Sequence, residues 1–465
     1  MKPLHQHCAW LLTSLCASLP STALALSFAQ AQQLATHNAP ALTAQAAKLE
    51  AASHSAMAAG ELPDPQLILG LQDVPIEGND RWSLQRDEFT SRTLGLRQDM
   101  LNGDKRQARV ATAQAGIDSA AAELQVERLQ VRLATAQAWI ASYTQQRKLT
   151  QFEAFFADNR LFAAAVRAQL AGGSGQASDL LAPQQEAALL DEQRDELLQQ
   201  QALARAALKR WIGPDASQPL TGALPHWRID PADYSQAVQQ HPELAAFAPL
   251  TRQAEAQVRE AQAEKNSDWS WEVDYQKRGR DFGDMVSLQL SVDLPLFASS
   301  RQDPKIAARL ATVNQLEAEH EVKLRERGQQ LEDDLAEYQR LERAVKRSQA
   351  TLLPLAEEKV RLLLASYSAG NSELSDLLQA RRELIQAKLK QLDLQGLRAL
   401  TATRLQFNYG EHSERRVGFS PPSLDNEIGG LQPSLQSRPA TANGYNEFNY
   451  GEHSAGESNI EEQRR

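Results

Sequence analysis

Few side chains in this sequence are equipped for covalent or metal chemistry. The only cysteines are Cys8 and Cys16, both inside the first apolar run. The chain beyond that run therefore has no thiolate for nucleophilic attack or soft-metal binding. Met57, Met100 and Met285 are scattered, and His37, His54, His226, His241 and His320 lack the short spacing that converges ligands on one ion. There is no nucleophile–base pattern and no phosphate-cradling glycine loop, so no catalytic, cofactor-binding or metal residue is assigned and an enzyme is not expected. What stands out instead is carboxylates placed just after glycines. Gly173 precedes Ser178-Asp179-Leu180-Leu181 by the spacing at which Gly370 precedes Ser375-Asp376-Leu377-Leu378. A short polar or acidic side chain there suits the exposed N–H groups of a helix start.

That shared spacing runs without a gap to Gly213 and Gly410, which makes the chain an internal duplication. The first repeat spans 26–213 and the second 233–411, with a proline-bearing linker at 214–232. Each repeat reads as a helix, a β-hairpin, a very long helix, a tip turn and a return helix. The first helix runs from Leu26 to about Glu61, and its counterpart starts at Tyr234 and reaches the vicinity of Lys265. The long helices run from Gly103 to Ala171 and from Arg301 to Ser368, where Pro354 predicts a kink. Leu129, Leu133, Ala136, Ile140 and Tyr143 form one seam for helix packing, and Leu378, Ile385 and Leu392 form another. In each repeat the two shorter helices together match the long one, enough for stacked helices about 100 Å long.

The hairpins are expected at 66–100 and 268–296. In the second, Trp269, Trp271, Val273 and Tyr275 alternate with polar residues, as do Val286, Leu288, Leu290, Val292 and Leu294. This is the pattern of membrane β-strands, although a soluble sheet with one wet face shares it. The first hairpin alternates poorly, and Arg92 and Arg97 fit a lipid-facing strand badly. Four strands cannot close a barrel, and lipid does not tolerate open edges. If the hairpins are in a membrane, several copies must share one barrel, and twelve strands from three chains are the smallest set expected to leave a water-filled pore.

The chain has 465 residues and a net charge of −10. Dispersed basic residues and acidic balance give no reason to expect nucleic-acid binding. Lys2, the apolar run and Ala23-Leu24-Ala25 predict a secretory signal peptide at 1–25. Thr13-Ser14-Leu15 before Cys16 does not match a lipobox. After Glu411, Pro, Gly, Ser and Asn rise, so 412–465 is expected to be disordered. Phe407-Asn408-Tyr409-Gly410-Glu411-His412-Ser413 recurs at 448–454. Its Glu-His pairs could bind a metal weakly, but duplication without function is the simpler reading.

Together the tip pattern Tyr367-x-x-Gly370 and Ser375-Asp376-Leu377-Leu378 resembles the TolC-like outer-membrane factors of Gram-negative efflux systems. Gly60-Glu61-Leu62-Pro63-Asp64-Pro65, Asp293-Leu294-Pro295-Leu296-Phe297 and Arg301-Gln302-Asp303-Pro304 are similar to the heavy-metal branch, the cobalt–zinc–cadmium and copper–silver exporters. The resemblance implies a mainly α fold with a β-barrel part. Duplicated coiled-coil hairpins would form a periplasmic α-barrel, beneath a trimeric twelve-stranded barrel in outer-membrane lipid. It further implies a homotrimer whose tip docks a periplasmic adaptor joined to a proton-driven inner-membrane pump of the RND type. Tyr367 and Asp376 match family positions that gate the narrow entrance, around the tip turns that carry Gly173, Asp179, Gly370 and Ser375. A gating Arg of the family is replaced by Ser372 and a second acidic residue by Gln379. One carboxylate per chain would still make an acidic ring favouring cations. Two alternatives stand beside the metal channel: a channel of the same fold for drugs or secreted proteins, and a soluble periplasmic coiled-coil scaffold.

Overall fold

The computed structural model describes residues 25–173 and 176–410. The expected signal peptide up to Leu24, the turn residues Ser174 and Gly175, and the tail with Glu411, His412 and the second heptapeptide lie outside the described residues.

The first repeat opens with α1 (Phe28–Asn38), capped reciprocally by Ser27 and Gln30. The single helix expected over this stretch is two. Ala39 is extended (φ −68°, ψ 118°) and Pro40 begins α2 (Pro40–Ala58). Proline lacks the N–H a continuous helix needs and drives the preceding residue out of the helical region. Strands β1 (Gln66–Gln72) and β2 (Ser91–Met100) follow. Asn102 then caps the 69-residue helix α3 (Gly103–Ala171) by accepting from the Lys105 N–H. A 3₁₀ turn at Ala177–Leu181 leads into α4 (Ala182–Ile212).

The 214–232 stretch is held to the body of the fold. Leu26 bridges Leu220 in parallel, and the Leu26 N–H donates to the Pro219 carbonyl at 2.9 Å.

The second repeat follows the same order. Its first helix is also broken, into α5 (Pro231–Ala237), α6 (Pro242–Ala245) and α7 (Phe247–Ala263). Pro242 is again the interruption, with His241 extended ahead of it. Then come β3 (Trp269–Lys277), β4 (Met285–Val292), α8 (Ala298–Arg347), α9 (Leu353–Ser368) and α10 (Leu374–Leu405). The kink expected at Pro354 is realised as a π turn at Ser348–Leu352, which lets α8 run into α9 with the proline near the α9 start. No helix among the described residues is long and apolar enough to cross a membrane.

The four strands form one antiparallel sheet in the order β1-β2-β3-β4. Elsewhere the core is helical. Helix α3 packs against α2, α4, α7 and α10, so it buries more than the single predicted seam. Ala136 and Ile140 of that seam are buried, and Val131 and Trp139, off the seam, are also sealed. Trp139 stacks on Tyr143 at 4.8 Å and meets Phe28 edge-on at 5.5 Å. Gly396 permits α10 to approach α3, since a Cβ there would lie 2.5 Å from Thr144 Oγ1.

A second cluster joins Tyr234, Leu244, Leu331, Leu405 and Tyr409. The Tyr409 hydroxyl donates to the Arg327 carbonyl at 3.2 Å, and burial pushes its pKa up to about 12. Phe407 lies under the Arg132 guanidinium at 4.9 Å. The first copy of the repeated heptapeptide therefore begins as part of the core.

Candidate functional site

Two regions carry side chains with functional potential: the sheet and the paired tips. In the sheet, register decides which residues share a face, because side chains alternate along each strand. One row is Leu67, Leu96, Val273 and Leu288, and the next apolar row is Leu69, Leu94, Tyr275 and Val286. These residues are open in the isolated chain, with Leu69 at 74 % and Val286 at 71 % exposure. The opposite face is polar. Its rows are Gln66, Arg97, Glu272 and Gln289, then Ile68, Gly95, Asp274 and Ser287, then Gly70, Thr93, Gln276 and Met285.

The arginines that made β2 look unsuited to lipid are accounted for by this register. Arg97 is on the polar face, where its Nε donates to Asp99 at 3.2 Å. Arg92 is on the apolar face but at the loop end of the strand, level with Lys277. Long cationic side chains there reach the membrane–water interface. Trp269 and Trp271 stand at the other end of β3, where amphipathic rings suit an interface. The apolar face is therefore clean over the middle of all four strands. Strands β1 and β4 have only one partner each among the described residues, so both edges of the sheet are open.

Below the sheet, Asp268 ties the two hairpins to the helices. Its Oδ1 accepts from the Asn102 N–H and the Asn102 amide, each at 2.8 Å, and its Oδ2 accepts from Lys105 Nζ at 2.8 Å. Burial alone would raise the carboxyl pKa, but Lys105 and Asn102 outweigh it and hold Asp268 below its ordinary range.

At the tips the chain reverses through Gly173 (φ +79°) and Gly370 (φ +75°), in the left-handed region that glycine enters without steric cost. The Asn371 N–H donates to the Ser366 carbonyl at 2.9 Å, closing the second turn. Tyr367 is buried at this end with Phe162, Val166 and Leu377, and Gln169 Nε2 donates to its carbonyl at 3.0 Å. The two tips are thus pinned side by side. The Tyr367 hydroxyl is buried without a hydrogen-bond partner, and its pKa is raised by burial and then by the charge of Asp179.

Asp376 is exposed in the first turn of α10, and Ser375, also exposed, donates to Glu373 Oε2 at 3.1 Å. The carboxylate whose field reaches Tyr367 within one chain is Asp179, from the other repeat. Asp179 itself caps the first return turn by accepting from the Gln176 N–H at 3.0 Å.

A group that the sequence did not single out lies just beyond the tips. Glu186, in the second turn of α4, is 2 % exposed and accepts from Arg382 Nε of α10 at 3.1 Å. Beside it Arg381 lies over the Phe162 ring at 4.7 Å, and burial lowers its pKa. Adjacent arginines on an amphipathic helix look like an ordinary wet face. Only the return helix of the other repeat, with its buried Glu186, makes them an interlock. Among the described residues no cluster of His, Cys, Asp and Glu is arranged to hold a metal ion.

Comparison with known proteins gives these surfaces a context. Residues 234–411 match the family model described as outer membrane efflux protein. A membrane protein from Pseudomonas aeruginosa is similar in structure, at 18 % identity and a TM-score of 0.71, over 82 % of this chain and 89 % of that one. VceC, an outer membrane protein from Vibrio cholerae, aligns at 19 % identity with a TM-score of 0.69, over 82 % of this chain and 96 % of its own. CusC aligns at 17 % identity and a TM-score of 0.68, over 82 % and 91 %. No curated relative matches the chain. Residues 234–411, the second repeat, thus match the outer membrane efflux protein family, and the fold over both repeats is shared with CusC and VceC.

Proposed function

We propose that this chain is the exit duct of a tripartite pump that expels heavy-metal cations. It works as a homotrimer, with a periplasmic adaptor and an inner-membrane RND pump. The observation that carries the channel assembly is the four-stranded sheet with one apolar face and two open edges. In lipid each unpaired edge would strand its backbone N–H and C=O groups, so strands of other copies must complete the barrel. Three copies supply twelve strands and leave room for water. The polar face then lines the lumen.

The tip is the entrance. Three Asp376 carboxylates make an acidic ring at the first turns of α10, and Tyr367 anchors the turn that carries them. The metal cargo is supported by the segments at 60–65, 293–297 and 301–304 and their similarity to the heavy-metal branch. Selection of the cargo falls to the pump and adaptor.

Growth of a deletion strain on copper, silver, zinc, cadmium and cobalt, beside detergents and antibiotics, tests the cargo. The expected result is sensitivity confined to one group of metals and restored by the intact gene. Sensitivity to organic compounds with normal metal tolerance would replace metals by drugs as the cargo.

A further inference from the structure

We propose that Asp274 and Glu272 form a cation-attracting station inside the barrel, and that it favours divalent cations with an affinity for oxygen ligands. The proposal rests on the channel reading above, which makes the polar face of the sheet a lumen wall. Both carboxylates are on that face of β3, two residues apart, a separation of about 7 Å along the strand. Strands β2 and β3 are the inner strands of the sheet. A neighbouring copy pairing at β1 or β4 does not reach them, so these groups depend on their own chain for partners.

Their own chain supplies few. Asp274 is only 9 % exposed, yet its Oδ1 is buried with no hydrogen-bond partner. Thr93, at 6 % exposure on the next strand, has an equally unpartnered Oγ1. Thr93 is one row from Asp274 on the same face. Buried polar atoms are ordinarily paired, and two orphans on one patch call for a ligand.

The patch is also shaped for a carboxylate. Position 95, level with Asp274, is a glycine, and a Cβ there would collide with Asp274 Oδ1. The cation nearest in register, Arg97 opposite Glu272, gives its Nε to Asp99. Asp99, Glu272 and Asp274 therefore face a single Arg97 across the middle of this wall, leaving a net negative charge in every chain.

Carboxylate, hydroxyl and amide oxygens prefer hard or borderline divalent cations over soft monovalent ones. Met285 is on the same face but alone and two strands from Thr93, which is not the clustered thioether set a soft ion needs. Within the metal reading this favours zinc or cobalt over copper(I) or silver(I). Two carboxylates with no third are too few for a tight site. Weak binding is what conduction requires, since an ion must leave as readily as it enters.

The test is zinc block of the full-length trimer in planar lipid bilayers. Zinc chloride is added on the side that faces the barrel, so that ions meet the lumen before the tip. The expected result is concentration-dependent block of the wild-type current. Asp274→Asn and Glu272→Gln should each need about tenfold more zinc for half block, the equivalent of one lost charge contact. Glu192→Gln, an exposed position on α4 outside the sheet and the tip turns, should keep the wild-type response. Both replacements are isosteric, and trimers that insert and conduct show that they have folded.

Block that is unchanged in both lumen variants would overturn the proposal. So would block abolished by Asp376→Asn alone, which would move the site to the tip. A wild-type trimer that conducts but ignores zinc rejects the station while leaving the channel intact. A wild-type protein that never conducts removes the channel reading and the station with it.

Discussion

Glu186→Ala should loosen the tip and cost the channel about 3 kcal/mol, near the lower end for breaking a buried ion pair because Arg382 is partly exposed. Among the described residues Glu186 is the acidic partner of Arg382 Nε, and its charge also bears on Arg381. Without it, Arg381 stays over Phe162 with Asp158 as its remaining acidic neighbour among the described residues. Arg382 already meets water, but Arg381 regains it fully only if α10 moves away from α3. Two readouts should therefore move together: a lower midpoint of thermal unfolding in detergent, and more frequent opening in bilayers. Glu186→Gln keeps the hydrogen-bond geometry and should fall between wild type and alanine. A destabilised variant with unaltered opening would mean that the pair supports the helices but does not restrain the entrance.

Asp268→Ala should be as costly, about 3 kcal/mol, since hydrogen bonds to a charged group are worth about 1.5–3 kcal/mol each and several depend on this carboxylate. The Asn102 N–H and the Lys105 ammonium lose their acceptor together. Both sit where α3 leaves the sheet, so barrel and helices should lose their coupling. The pH dependence has a definite sign. The folded Asp268 pKa lies below its ordinary value of 3.8, because Lys105 and Asn102 overcome the effect of burial. The stability it contributes is complete above pH 3.8 and disappears as pH falls through the lowered folded value. The wild type and Asp268→Ala should thus differ clearly at pH 7 and converge in strong acid. An equal gap at both extremes would mean that shape, not charge, matters at this junction.

The repeat structure was legible because glycines and helix starts are local signals. Gly173 and Gly370 need no partner to declare a turn, and both adopt the positive φ their positions imply. The β3–β4 hairpin was legible for the same reason, as alternation is read along a single strand. The β1–β2 hairpin was harder. Arg92 and Arg97 disturbed the pattern until the register put one at the strand end and the other in the polar rows.

The broken first helices show a different failure. Runs rich in Ala and Gln suggested continuity, but Pro40 and Pro242 remove an N–H and force the preceding residue into an extended backbone. The single seam expected on α3 was too narrow because several helices surround it. Glu186 with Arg382 and Asp268 with Lys105 were not legible at all. Each pair is separated by more than a hundred residues, and nothing local marks a charged residue as buried. Tyr367 lies beside the second tip turn, and its electrostatic neighbour within one chain is Asp179 rather than Asp376.

The central claim is that three copies of this chain close a water-filled barrel. Single-channel recording on detergent-purified protein, with its mass measured in the same detergent, tests it most directly. A trimeric mass with discrete, cation-preferring conductance steps is the predicted result. A protein that stays soluble and monomeric without detergent, and adds no conductance to a bilayer, would contradict it and leave a periplasmic scaffold in its place.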